Sequence, residues 1–333
     1  MSCAYLAFTE RGLALAQQLA AACPGPVARC GAGGPQLDEW TAAQFAASDA
    51  LIYIGAVGIA VRAIAPYCCS KAADPAVVVL DECGRFAVPL LSGHLGGANA
   101  LARRLAAVCG AVPVITTATD LHGLFAVDEW AKRQGCIVAE PERIKQVSGA
   151  LLAGKRVHFT ADWPIQGTPP AGVQPAAGGC ADFALTLTPT GQALHIVPRI
   201  AVLGIGCRRG TTAEHLEAAF AAFCRESGLA PQGVAAAASI DLKRDEPGLA
   251  AFCQDHGWSM DFYTAAQLRA VPGSFTASGF VTSVTGVDNV CERAAVLASG
   301  GKLLLPKWAR DGVTFAAALR PFAPDWRWRD DEP

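Results

Sequence analysis

The chain has 333 residues, 52% of them hydrophobic, enough apolar material for two or three separate cores. Charged residues make up 17% and the formal net charge is −2. No global basic field exists to draw nucleic acid or an anionic membrane surface, and a polyanionic small ligand would need local basic groups. Thirteen cysteines show neither a Cys-x-x-Cys pair nor a Cys-to-His ligand spacing, and read as reduced, mostly buried thiols of a cytoplasmic protein with no metal site.

Residues 4–8 read as a strand and 13–22 as the helix after it, with Glu10 and Arg11 between them arguing against an export signal. Strands follow at 51–54, 76–80, 86–91 and 112–115, and helices at 95–108, 125–133 and 141–152. Residues 163–179, rich in Pro, Gly and Ala, fit neither periodicity and read as a surface loop. A fresh strand opens at Ile200 and runs to 205, before a helix over 212–225, a strand over 281–284, a helix over 287–297 and paired strands at 302–305 and 314–318. This alternation predicts a multidomain α/β protein with mixed or parallel sheets flanked by helices, the 86–91 strand and the last pair being antiparallel. The expected division is an N-terminal α/β domain over 1–130, a small middle domain over 131–198, a C-terminal α/β domain over 199–325 and a polar tail over 326–333.

Chemistry is expected where strands give way to loops. Gly55 and Gly58 end the 51–54 strand ahead of a helix carrying Arg62, a junction that lets backbone N–H groups approach an anion, although turn chemistry alone also explains it. Ser92-Gly-His94-Leu-Gly96-Gly97-Ala-Asn99 follows an apolar strand and opens a glycine-rich helix. His94 there can exchange protons, or with Asn99 can simply cap the helix. Residues 116–120, with Thr117, Thr119 and Asp120, also follow a strand; if the two strands are neighbours, Asp120 can orient His94 or His122, act as the base, or cap a helix. Asp128 and Glu129 read as solvated helix charges. In the last domain Gly204, Gly206, Arg208, Gly210 and Thr211 resemble a dinucleotide fingerprint, but the third glycine comes one position late and no acid stands at a strand end about twenty residues on. That leaves anion binding as the reading. Thr285 and Gly286 precede a helix for which Asp288 or Asn289 is the simple cap.

These pieces, in this order, resemble the cobalt-precorrin-5A hydrolase family of the anaerobic cobalamin pathway. The likeness rests on Gly58-Ile-Ala-Val-Arg-Ala-Ile-Ala-Pro66, the run from Lys71 to Glu82, Leu91-Ser-Gly-His-Leu-Gly-Gly-Ala-Asn99 and Pro113-Val-Ile-Thr-Thr-Ala-Thr-Asp120. It continues in Leu203-Gly-Ile-Gly-Cys-Arg-Arg-Gly-Thr211, Ile240-Asp-Leu-Lys243, Thr285-Gly-Val287 and the run from Ala294 to Gly301. The resemblance implies hydrolysis of the δ-lactone of cobalt-precorrin-5A with release of acetaldehyde, giving cobalt-precorrin-5B. The substrate itself carries the cobalt, so the resemblance implies no nicotinamide, flavin or added metal. An anionic cobalt corrinoid is the implied partner, with neighbouring pathway enzymes as further candidates. Within that frame His94, Asp120 and Ser92 are the candidate catalytic residues. Candidate substrate contacts are Arg62, Lys71, Arg208 and Lys243 for the acidic side groups, with the glycines and hydroxyls of the loops beside them. A corrinoid carrier without catalysis is the alternative from another class.

Overall fold

A computed structural model describes residues 1–31, 33–70, 73–178 and 180–328. The first sheet contains β1 (Cys3–Ala7), β2 (Val27–Arg29), β3 (Ala50–Ile54), β4 (Ala76–Leu80), β5 (Phe86–Leu91) and β6 (Val112–Pro113), in the order β2-β1-β3-β4-β5-β6. The strands from β2 to β4 run parallel, while β5 is antiparallel to β4 and β6 follows β5 in parallel. Helices α1 (Glu10–Ala22), α2 (Leu37–Ala47), α3 (Val57–Ile64), α4 (Ala98–Cys109) and the single turn α5 (Ala118–Leu121) belong to this layer. β1, β3 and β4 are buried along their whole length, which explains why they read as unbroken apolar runs.

The second layer begins with α6 (Val127–Arg133). Its sheet contains β7 (Cys136–Val138), β8 (Val157–Ala161), β9 (Val173–Pro175), β10 (Phe183–Leu185) and β11 (Leu194–Pro198), in the order β7-β11-β10-β8-β9, with α7 (Ile144–Leu152) packed against it. The stretch expected to be loop over 163–179 therefore contains the short edge strand β9. Its pairing with β8 at Val157, His158 and Phe159 supplies order that residue pattern does not reveal.

The third layer contains β12 (Ala201–Cys207), α8 (Ala213–Ser227), β13 (Val234–Ile240), α9 (Pro247–Asp255), β14 (Ser259–Tyr263), α10 (Ala265–Ala270), α11 (Gly279–Thr285), α12 (Cys291–Ser299), β15 (Lys302–Arg310) and β16 (Val313–Leu319). Its sheet runs β14-β13-β12-β16-β15, and β16 is antiparallel to both β12 and β15. Residues 281–284 form part of α11, not a strand. The Ser278 side chain caps the first turn, Thr282 and Thr285 hydroxyls bond the carbonyls four residues back, and Gly286 ends the helix at φ 72°. Local capping thus overrides the β-branched pattern.

Of the polar tail expected over 326–333, residues 326–328 are described and are tied to the fold, while 329–333 lie outside the described residues. Trp326 is buried in the second core and stacks on Trp130 with ring centroids 5.3 Å apart, while Trp130 Nε1 donates to the Asp325 carbonyl at 2.6 Å. Among the described residues no helix is long and apolar enough to cross a membrane.

Candidate functional site at the seam of the first two layers

Strand direction decides which loops meet. Because β5 is antiparallel to β4, its end lies at the edge where β3 and β4 begin, and β6 beside it carries residues 114–120 to the same edge. Ser92 turns the chain there in the left-handed region, at φ 56°, and its carbonyl accepts from Ala98 N at 3.1 Å. Gly97 follows at φ 87° as the N-cap of α4, where a Cβ would be strained and would stand 2.6 Å from Lys132 Nζ. Lys132, reaching over from α6, donates to the carbonyls of Leu95 and Gly96 at 3.1 and 3.0 Å.

Between these elements His94 meets three carboxylates. Nε2 lies 2.9 Å from Asp120 Oδ2 and 3.7 Å from Glu129 Oε1, and Nδ1 lies 3.4 Å from Asp128 Oδ2. Asp120 Oδ2 also accepts from Asn99 Nδ2 at 3.0 Å and Thr117 Oγ1 at 2.6 Å, while Oδ1 takes the Arg103 guanidinium at 2.5 Å. Among the described residues, His94, Asp120 and Glu129 are the one group with metal-ligand spacing, their ligand atoms within 4.8 Å of each other. Asp120 Oδ2 already takes three donors and Oδ1 the Arg103 guanidinium, so the donor set fits a buried charge network better than a metal centre.

Electrostatics follow from this packing. Burial disfavours a charged His94, but hydrogen bonds to Asp120 and Asp128 and the charges of Asp128 and Glu129 outweigh it and push the imidazole up to about 10. Burial raises Asp120, yet its bonds from His94, Thr117 and Arg103 hold it well below the usual carboxylate range. Burial lowers the Lys132 ammonium, with Asp49 and Glu129 opposing the shift. For a histidine raised from 6.5 when unfolded to about 10 when folded, the stabilisation is complete below pH 6.5 and is lost as pH rises through about 10. The stability difference between wild type and His94→Gln is therefore expected to be largest below pH 6.5 and to shrink toward pH 10 in urea titrations. A pH-independent difference would mean that the ring is not charged in the folded protein.

The geometry sorts the residues that sequence singles out. It brings together His94, Asp120, Asn99, Thr117 and Thr119, whose Oγ1 is 3.5 Å from His94 Nε2. Asn99 is buried and committed to Thr117 and Asp120, so it and Thr117 hold the acid in place instead of offering free substrate contacts. Ser92 does not aim at the pair, since its hydroxyl donates to the Asp74 carbonyl at 2.9 Å and fixes the turn. Gly55, Gly58 and Arg62 follow the opposite end of β3, and the five-residue strand separates the two ends by roughly 17 Å. Lys71 lies outside the described residues.

In the third layer Gly204 and Gly206 are strand residues paired with β16, not an anion loop. A Cβ on Gly204 would stand 1.8 Å from the Cys291 carbonyl, so its bareness lets α12 lie against β12. Gly210 N and Lys243 Nζ are taken by the two oxygens of Glu246, at 2.8 and 2.9 Å, which fill the expected anion site from within the chain. Thr211 bonds the Arg208 carbonyl, Arg208 packs on Gly312, and Thr285 closes the end of α11 before Gly286. Asp128 and Glu129, expected to be solvated, are largely buried, with side chains 6% and 12% exposed, because α6 turns them toward the His94 loop while Trp130 and Ala131 enter the second core. The helical spacing of the apolar Val127, Trp130 and Ala131 carries that orientation in sequence, but not what stands opposite.

A half-buried imidazole held among carboxylates at a seam between α/β layers is an arrangement suited to proton transfer in an enzyme. Successive segments match the family models described as Cobalamin synthesis G N-terminal, over residues 39–120, Cobalamin biosynthesis central region, over 125–177, and Cobalamin synthesis G C-terminus, over 201–318. The chain is 36% identical to the cobalt-precorrin-5A hydrolase of Salmonella typhimurium, across 96% of this chain and 97% of that one. It is 32% identical to the protein of that name from Priestia megaterium, across 84% and 80%. Protein CobE of a Sinorhizobium species is 34% identical over 31% of this chain and 68% of its own. The chain belongs to the cobalt-precorrin-5A hydrolase family.

Proposed function

We propose that this enzyme opens the δ-lactone of cobalt-precorrin-5A with water and releases acetaldehyde, giving cobalt-precorrin-5B in anaerobic cobalamin synthesis. The observation that carries the reading is the match to two relatives of that name over 97% and 80% of their lengths. The seam site supports it with proton-transfer groups and positive charge in one buried place: His94 and Arg103 beside Asp120, with Glu129 partly open to solvent.

In this reading water adds to the lactone carbonyl and the ring C–O bond breaks. The freed alcohol then loses its proton as the adjoining C–C bond cleaves, its electrons passing into the conjugated macrocycle. That electronic step belongs to the substrate, whose cobalt arrives with it, and the chain needs no cofactor of its own. A cavity of about 550 Å³ opens beside the site, lined by Phe45, Asp49, Asp74, Leu95, Gly96 and Lys132. His94 is not among its lining residues, so the cavity is an approach to the 92–97 loop, not the reaction centre. Thirteen free, scattered thiols support a cytoplasmic setting, with neighbouring pathway enzymes as partners.

The test is incubation of purified protein with cobalt-precorrin-5A, following acetaldehyde and the mass of the corrinoid. Stoichiometric acetaldehyde is expected. Tight corrinoid binding with no acetaldehyde would replace the enzyme by a carrier.

A further inference from the structure

The three carboxylates around His94 are not equivalent. Asp120, with a side chain 3% exposed, is committed to His94, Asn99, Thr117 and Arg103. Asp128 is sealed against Nδ1, and its Oδ1 has no hydrogen-bond partner. Glu129 keeps an edge open to solvent and stands 3.7 Å from Nε2, beyond hydrogen-bonding distance. The His94 ring has a carboxylate at each nitrogen, so it holds both protons and has no lone pair with which to accept another. A base at this seam must be a different group, and Glu129 is the carboxylate both reachable from solvent and uncommitted to a short bond.

We propose that Glu129 is the catalytic base of lactone opening and that His94 serves as a fixed imidazolium beside it. The inference rests on the proposed hydrolysis. The Glu129 carboxylate takes a proton from water as the water oxygen bonds to the lactone carbonyl carbon. The tetrahedral species collapses with cleavage of the ring C–O bond, and the proton on Glu129 passes to the departing alkoxide oxygen. One water is consumed, an acid and an alcohol are formed, and Glu129 returns to its carboxylate. The His94 cation offsets negative charge on the carbonyl oxygen during the addition.

The groups facing Glu129 agree with this division of roles. Burial raises its carboxyl above the ordinary range; His94 and Arg103, from the loop after β5 and from α4, pull it down, and Asp120 and Asp128 push it up again. Lys132 faces it from the same helix. Neighbouring carboxyls with opposite shifts, Asp120 down and Glu129 up, are the pattern that separates a permanent anion from a proton carrier.

The experiment compares wild type, Glu129→Gln and Glu129→Asp in acetaldehyde release across pH, with urea melts of each. Glu129→Gln is expected to lose roughly 10²- to 10⁴-fold in kcat with little change in KM, and to lose the acid limb of the pH profile. Glu129→Asp should recover part of the rate together with that limb. Removing a carboxyl raised by burial should leave the Gln variant at least as stable as wild type near neutral pH, which separates lost chemistry from lost folding. A Gln variant with wild-type kcat and an intact acid limb overturns the assignment while the hydrolase reading stands. A wild-type chain that releases no acetaldehyde overturns the reading and the assignment with it.

Discussion

Asp120→Asn is expected to slow acetaldehyde release by roughly 10²- to 10⁴-fold while leaving a folded chain. The carboxylate is needed because His94, Asn99 and Thr117 on Oδ2 and Arg103 on Oδ1 are all donors to it. An asparagine has one accepting and one donating end. Whichever way it turns, its NH2 meets either the guanidinium or the three donors on the other side. The ring then loses the anion that fixes its tilt and its second proton, and the positive charge beside Glu129 weakens. Asp120→Ala removes the acceptors altogether and leaves Arg103 and His94 facing each other with less counter-charge, a change expected to cost about 3–5 kcal/mol of stability. Rate measurements with urea melts on both variants separate the two effects. An Asn variant at the wild-type rate would remove the His94–Asp120 pair from the mechanism.

Much of this site is legible in the sequence, for reasons that are local. His94 lies in the loop after β5 and Asp120 in the single turn α5 that follows β6, and placing the two strands side by side is enough to bring them together; the β5–β6 pairing does so. The same logic fails for Gly55, Gly58 and Arg62. They too follow a strand, but the antiparallel entry of β5 sends the His94 loop to the other end of the sheet, and strand direction leaves little mark on residue pattern. Gly204 and Gly206 mislead for a related reason. Glycine before a helix can mean a bare N–H for an anion or a bare Cα for a close neighbour, and the neighbours, Cys291 for Gly204 and Thr314 for Gly206, lie far along the chain. Asp128 and Glu129 are invisible as site residues because an acid on an amphipathic helix reads as solvated until the loop opposite it is known.

Trp326→Ala is expected to destabilise the protein by about 3–5 kcal/mol and to lower the rate of a reaction whose groups it never touches. The ring is 5% exposed, stacks on Trp130, and meets Phe159 edge-on with centroids 4.8 Å apart and Phe125 at 6.0 Å. The backbone around it is bonded in turn: Asp325 O accepts from Trp130, Gln166 O accepts from Trp326 N, and Gln134 Oε1 accepts from Asp325 N. Removing the indole opens a cavity against α6, the helix whose other side carries Asp128, Glu129 and Lys132. A seven-residue helix has little rigidity of its own, so its position depends on what packs beneath it. Loss of that packing lets the carboxylates drift from His94, and a shift of about 1 Å at reacting groups can cost 10²-fold in rate. Thermal melts and acetaldehyde release on the same preparation test the coupling. A destabilised variant with full activity below its melting temperature would show that the His94 loop and α6 hold each other without help from the C-terminal segment.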